Sequence, residues 1–232
     1  MGYRSSVSIE DGDVGIYLSR PLGIAIGTVV VLHEIFGVNA DMRATCDELS
    51  ADGFLAIAPD MFWRQESGVN LSAWSEAEWQ KGLALYAAYD RDIGTRDILE
   101  IVEQVRKIAG SSDKVAVLGF CLSGLMAYLA SARGPVDAAI AYHGGDTEKY
   151  LAYADSISAP LLLHLAEEDE FIPKNAQASI KAALNHKSNI RIHSYPGCNH
   201  AFARHTGAHY DATAATLAYN RTRDFLKISL AV

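Results

Sequence analysis

Short apolar runs alternate with longer mixed runs along this chain. The runs at 28–33, 54–58, 114–120, 138–142, 160–165 and 190–195 are rich in Val, Ile, Leu and Ala. They are continuous rather than alternating, which is the pattern of strands covered on both faces. Between them the spacing predicts helices. Asn39 or Asp41 can cap one that ends before Gly53. A charged-apolar stretch runs from 75 to 108 with a break near 92–94, and others cover 122–132, 175–184 and 210–230. Strand–helix alternation of this kind implies a parallel, doubly wound α/β sheet. Short alternating runs around Gly12 and Asp13 predict an antiparallel hairpin at its edge. Residues 1–232 read as one domain. The longest irregular stretch, 61–73, follows the carboxyl end of a strand, where such folds place ligand-binding loops.

Composition supports a packed core. Half of the 232 residues are hydrophobic and 21% are charged, which argues against disorder. A formal net charge of −8 argues against nucleic acid or an anionic membrane as a partner, since both need clustered Lys and Arg. A small anionic substrate held by one or two local cations stays possible. No run approaches the roughly 20 apolar residues of a membrane span. The opening residues lack the apolar centre of a signal peptide. Three cysteines, Cys46, Cys121 and Cys198, are odd in number and widely spaced. They imply free thiols in a reducing compartment, taken as the cytoplasm, and no metal-site spacing. No metal or cofactor is expected, although five histidines (His33, His143, His164, His200 and His205) are numerous enough for folding to bring some together. A monomer or weak homo-oligomer is expected, since no long apolar stripe demands a dimer.

The chemistry centres on Gly119-Phe120-Cys121-Leu122-Ser123-Gly124, at a predicted strand-to-helix junction. A Gly-x-nucleophile-x-Gly sequence in this context forms a nucleophile elbow. The sharp turn strains the nucleophile's backbone, so its neighbours must be small. A sulfur there lies at a helix N-terminus, where the dipole favours thiolate. The amide of Leu122 would point at a developing oxyanion. The position two after Cys121 holds Ser123 rather than glycine, and Gly124 follows. The alternative is a buried structural cysteine. Later residues weigh against it. The strand at 160–165 ends in Glu167-Glu168-Asp169-Glu170-Phe171-Ile172-Pro173, and the next leads to His200. Nucleophile, acid and histidine then follow successive strands, the α/β-hydrolase order. Asp169 would orient His200, and His200 would take and return the proton of Cys121. Glu167, Glu168 and Glu170 compete for the acid role. Asp169 is preferred for its spacing to Phe171-Ile172-Pro173.

These residues resemble the dienelactone hydrolase family, the carboxymethylenebutenolidases, over nearly the whole chain. The resemblance rests on Leu32-His33-Glu34-Ile35-Phe36-Gly37-Val38-Asn39, on Ala58-Pro59-Asp60-Met61-Phe62-Trp63-Arg64, on the Cys121 elbow, on Asp169-x-Phe171-Ile172-Pro173 and on His200-Ala201-Phe202-Ala203-Arg204. It implies a Cys121–His200–Asp169 triad. It also implies that Glu34 takes the thiol proton when substrate binds, that the Ile35 amide is a second oxyanion donor, and that Arg204 pairs with a substrate carboxylate. A second substrate-binding arginine is expected around 75–81, where this chain has Trp79 and Lys81 and no arginine. Lys81 would substitute without the bidentate fork. Trp79 would line a more apolar pocket or pack in the core. His143 stands where the family often has an aromatic residue. The expected reaction is cofactor-free hydrolysis of a small lactone or carboxylic ester through an acyl-enzyme. The alternatives are a thiol esterase or thioesterase of unrelated substrate, a redox-sensing Cys–Glu elbow protein, which would not explain Asp169 and His200, and a non-catalytic binding module.

Overall fold

The computed structural model describes residues 2–108 and 113–231. Eight strands form one sheet: β1 (Tyr3–Ile9), β2 (Gly12–Ser19), β3 (Thr28–Leu32), β4 (Leu55–Pro59), β5 (Val115–Phe120), β6 (Ala138–Tyr142), β7 (Leu161–Ala166) and β8 (Ile190–Tyr195), in spatial order β1-β2-β4-β3-β5-β6-β7-β8. β1 and β2 form the antiparallel hairpin at the edge, and every pairing from β4 through β8 is parallel. The six apolar runs all became strands within about one residue of their expected ends; β3 to β7 are buried along nearly their whole length, and only the edge strand β8 is half-exposed between Ile190 and Tyr195. Val30 and Leu32 of β3 face one hydrophobic cluster, Val29 and Val31 the other.

Helices cover both faces. α1 (Ala40–Ala51) and α6 (Ala212–Leu230) contribute Met42, Cys46, Leu49, Phe225 and Leu226 to one cluster. α3 (Arg91–Val105), α4 (Leu122–Arg133) and α5 (Lys174–Leu184) contribute Ile98, Ile101, Leu125, Met126 and Ile180 to the other. Asn39 caps α1, its side chain accepting from the Met42 amide at 3.2 Å. Asp211 caps α6 in the same way. A 3₁₀ segment over Thr147–Ser156 connects β6 to β7. None of the described helices is long and apolar enough to cross a membrane.

Two expectations are corrected. The stretch 75–108 breaks at Tyr89–Asp90, not near 92–94, giving α2 (Glu76–Ala88) and α3. Asp90 supplies the cap, accepting from the amides of Asp92 and Ile93. Gly94 lies inside α3 with the Tyr89 ring packed against it, where only a residue without a side chain fits. A Cβ there would sit 2.1 Å from the Tyr89 hydroxyl oxygen. The second correction concerns 61–73. Asp60 fastens this loop through the amides of Phe62 and Gly68, and Arg64 is clamped between Asp11 and Asp97. The loop pairs with Gly37 and donates the Leu71 amide to the Phe36 carbonyl, so it braces the segment after β3 instead of lining the cavity described next.

Candidate active site

Parallel register explains why distant residues meet. Leu32 of β3 pairs with Gly119 of β5. Glu34 and Cys121, each two residues further on, therefore leave adjacent strands at the same level. The chain runs outward from β3 to β4 and then returns to β5 on the other side. The crevice at the carboxyl ends of β3 and β5 is thus a topological switch point, the place where open α/β sheets bind ligands. Phe120 pairs with Tyr142, which brings His143 beside Cys121.

Cys121 has φ 55° and ψ −118°, a conformation side-chain-bearing residues rarely adopt. It is held there by its amide, which donates to the Tyr142 carbonyl at 3.1 Å, and by the first turn of α4, whose Gly124 amide returns to the Cys121 carbonyl at 3.0 Å. The turn is so tight that a Cβ on Gly119 would lie 1.8 Å from the Ser123 carbonyl oxygen. Ser123 is fully buried, and its hydroxyl donates to the His33 carbonyl. That bond ties the start of α4 to the segment carrying Glu34 and Ile35. Leu122, the first residue of α4, has an amide with no acceptor inside the helix.

Asp169 and His200 follow β7 and β8. His200 Nδ1 donates to both Asp169 oxygens, at 2.9 and 2.8 Å. The Asp169 carboxylate is aimed by the amides of Phe171 and Ile172, at 2.9 and 3.2 Å. Nε2 of His200 is buried and makes no well-formed hydrogen bond among the described residues. Burial alone would lower the His200 pKa, but the Cys121 sulfur and the Asp169 carboxylate beside it raise it to about 10. The competing acids point elsewhere. Glu168 pairs with Lys174 at 2.9 Å, and Glu170 accepts the His200 backbone amide and lies 3.8 Å from His209 Nδ1.

Glu34 and Arg204 form a buried ion pair, Nε to Oε2 at 3.1 Å. It lacks hydrogen-bond geometry, and Arg204 Nη1 has no hydrogen-bond partner among the described residues, so the guanidinium does not grip the carboxylate as a fork. The Arg204 guanidinium also lies 5.0 Å from the Phe36 ring centre.

Cys121, His200, Glu34, Ile35, Leu122, Arg204 and Trp79 all line one cavity of about 230 Å³. Trp79 packs edge-on against Phe36, and its indole N–H donates to the Ala73 carbonyl at 2.7 Å. Lys81 does not reach this cavity. It lies on the surface with its ammonium 2.5 Å from Glu66, two positions along α2 from Trp79 and so on another face. Sequence reasoning missed Leu83, Tyr86 and Phe171, which also line the cavity. The i, i+4, i+7 spacing of Trp79, Leu83 and Tyr86 was the available signal. A second cavity of about 240 Å³ shares Glu34 and Arg204 and is lined by His143. The His143 ring meets the His200 ring at 4.4 Å, and burial first, then the charges of His200 and Arg204, pushes its pKa well down.

The remaining histidines of the interior are structural. His33 donates from Nδ1 to the Glu34 carbonyl and accepts the Met61 amide at Nε2, an arrangement only a neutral ring can make. His164 is bracketed by Tyr195 and Thr222. Among the described residues no three His, Cys, Asp or Glu side chains converge on a metal position.

A parallel sheet with an elbow cysteine, a histidine and a carboxylate at its strand ends defines a hydrolase of the α/β-hydrolase fold. Residues 14–230 match the model of the dienelactone hydrolase family, and the chain belongs to that family. A relative from Azospirillum brasilense, provisionally named carboxymethylenebutenolidase, is 38% identical over 219 residues, covering 94% of each chain. The carboxymethylenebutenolidase of Pseudomonas putida is 33% identical over 222 residues, covering 95% of this chain and 94% of that one. A solved structure from Klebsiella pneumoniae, provisionally described as a dienelactone hydrolase, superposes with a TM-score of 0.85 at 23% identity, covering 97% of each chain, a likeness of fold. The chain is a carboxylic ester hydrolase of the carboxymethylenebutenolidase type.

Proposed function

We propose that this enzyme opens small lactones or carboxylic esters through an acyl-enzyme on Cys121, with His200 and Asp169 completing a triad. The observation that carries this reading is the strained cysteine at the elbow in one cavity with a histidine fixed by Asp169. Cys121 Sγ attacks the substrate carbonyl carbon, and its proton passes to His200 Nε2, directly or by way of Glu34. The amides of Ile35 and Leu122 hold the oxyanion. The carbon–oxygen bond to the leaving group breaks as His200 returns a proton to that oxygen. Water then attacks the thioester, giving a proton to His200, and the product acid leaves with Cys121 regenerated. Asp169 holds the Nδ1–H of His200 throughout, so that Nε2 faces the sulfur and exchanges the proton. Glu34 is held by Arg204 through a single contact, which leaves its second oxygen free to receive a proton. Three free thiols suit a reducing, cytoplasmic setting.

The test is hydrolysis of p-nitrophenyl acetate by the wild type and by Cys121→Ala, with mass spectrometry of acid-quenched enzyme. Turnover lost in the variant, with an acetyl mass gained on the Cys121 peptide of the wild type, supports the reading. Turnover unaffected by Cys121→Ala removes it.

A further inference from the structure

Asp169 holds the His200 imidazole by one edge only, through Nδ1. A ring fastened there can still tilt about that bond, and a tilt carries Nε2 away from the sulfur. Two aromatic side chains stand against the ring and oppose the movement. The Phe171 ring meets it at 4.8 Å and 73°, the His143 ring at 4.4 Å and 60°. The two walls differ in firmness. Phe171 is 55% exposed, whereas His143 is 1% exposed. The His143 ring is further enclosed by Phe120, Tyr142 and Phe202, with ring centres 6.3 to 6.4 Å away.

The backbone of His143 is registered against the turn that carries the nucleophile. Tyr142 pairs with Phe120, the residue before Cys121. The His143 amide donates to the His164 carbonyl at 2.8 Å. A Cβ on the next residue, Gly144, would lie 2.8 Å from the Gly124 carbonyl carbon and from the Leu125 amide nitrogen in the first turns of α4. This path leaves His143 at φ 37°, in the left-handed region. Two demands therefore meet at one position, a left-handed backbone and a ring. Asparagine answers the first alone and phenylalanine the second alone, while histidine answers both. It does so although its Nδ1 is buried with no hydrogen-bond partner among the described residues, an unfavourable state for a nitrogen. The charges nearby suit it. His200, with a pKa of about 10, is positive whenever it holds the thiol proton. Arg204 is positive too, and Glu34 offsets it only until it takes up a proton. Burial, then the charges of His200 and Arg204, keep the His143 ring neutral, so it sets no further charge against them.

We infer that His143 is a positioning residue, the rigid wall that holds the His200 imidazole with Nε2 toward Cys121. The inference rests on the reading that His200 is the base for Cys121. His143 does not line the reaction cavity, so it reaches the chemistry only through His200.

The experiment sets His143→Asn beside His143→Phe, with p-nitrophenyl acetate as substrate. The first keeps the backbone preference and removes the ring; the second keeps a ring and loses both nitrogens. Both lose stability, one through packing and the other through backbone strain, so stability does not account for a difference in kcat between them. His143→Asn should lose about 10- to 100-fold in kcat with KM nearly unchanged. His143→Phe should recover most of that loss. The Nδ1–H proton of His200, followed by NMR, is the second readout. Its resonance should broaden in His143→Asn, where the ring is free to tilt, and persist in His143→Phe. His143→Gln replaces His143→Asn if the latter does not fold, and if His143→Phe does not fold the ring-free variant decides by kcat and resonance together. Wild-type kcat in a folded ring-free variant overturns the inference while the triad stands. So does a kcat equally low in His143→Phe and His143→Asn with the Nδ1–H resonance intact in both. Hydrolysis that persists in Cys121→Ala removes the catalytic reading and the inference with it.

Discussion

Arg204 Nε lies 3.1 Å from Glu34 Oε2, and this buried pair forms part of the wall of two cavities. Glu34 balances a buried cation, and in the proposed mechanism it would also receive a proton. Glu34→Gln removes both. Breaking one partner of a buried pair strands the other charge, at a cost of about 3 kcal/mol, or on the order of 10 °C in Tm. Glu34→Gln is expected to melt lower and to acylate more slowly in stopped-flow bursts. The double variant Glu34→Gln/Arg204→Met should recover most of the Tm, because no unpaired charge remains, while acylation stays slow. Acylation at the wild-type rate in both variants would leave Glu34 a structural counter-ion only.

Asp169 is one of the groups that raise His200, so Asp169→Asn should change both rate and pH response. The rate falls by about 10³–10⁴-fold as the ring loses its orientation and tautomer. The stability effect has a definite sign. His200 binds its proton more tightly in the folded protein, with a pKa of about 10 against 6.5 for the free ring. Its contribution is therefore whole below pH 6.5 and is lost as pH rises through 10. The Tm gap between wild type and Asp169→Asn should be wide at pH 6 and narrow near pH 10. A gap independent of pH would mean that Asp169 does not govern the His200 proton.

Much of this site is local in sequence and was legible there. An apolar run, a small-residue turn and a cysteine describe the elbow without any long-range information. The order of Cys121, Asp169 and His200 follows from strand ends that hydrophobicity marks. What escaped depends on which way a helix faces. Trp79, Leu83 and Tyr86 form an apolar stripe, and such stripes usually meet a core. This one meets a cavity because Gly82 lets α2 close over the segment after β3, where a Cβ would lie 2.9 Å from the Ile35 carbonyl oxygen. Lys81 was placed at the site by its position in the chain, yet two residues along a helix turn it some 200° from Trp79. Gly94 suggested a helix break by propensity, and the cap at Asp90 overrode it.

Ser123 occupies a position where a smaller residue would serve the turn, and its hydroxyl explains the choice. It bonds the His33 carbonyl, joining the two backbone segments that carry the Leu122 and Ile35 amides. Ser123→Ala deprives that buried carbonyl of its donor, which should cost about 1–3 kcal/mol. The spacing of the two amides would loosen with it. The expected signature is a kcat lowered about tenfold with KM nearly unchanged, since an oxyanion exists only in the transition state. A KM effect with kcat intact would place Ser123 in substrate binding instead.

The elbow itself is testable at Gly119. A Cβ there would meet the Ser123 carbonyl oxygen at 1.8 Å, and that oxygen belongs to the first turn of α4, which cannot yield without unwinding. Gly119→Ala must therefore either push Cys121 out of its φ 55° conformation or prevent the sheet from closing around β5. Gly23→Ala is the matched control, because no atom lies within 4 Å of the added methyl. Gly23→Ala should fall within about 0.5 kcal/mol of the wild type and keep full esterase activity. Gly119→Ala should lose turnover, and any soluble fraction should show faster amide hydrogen exchange in the first turn of α4 than the wild type. Retained turnover in Gly119→Ala would mean that the sulfur reaches the carbonyl without the strained turn, and the elbow would then be a consequence of packing between β5 and α4 with no part in catalysis.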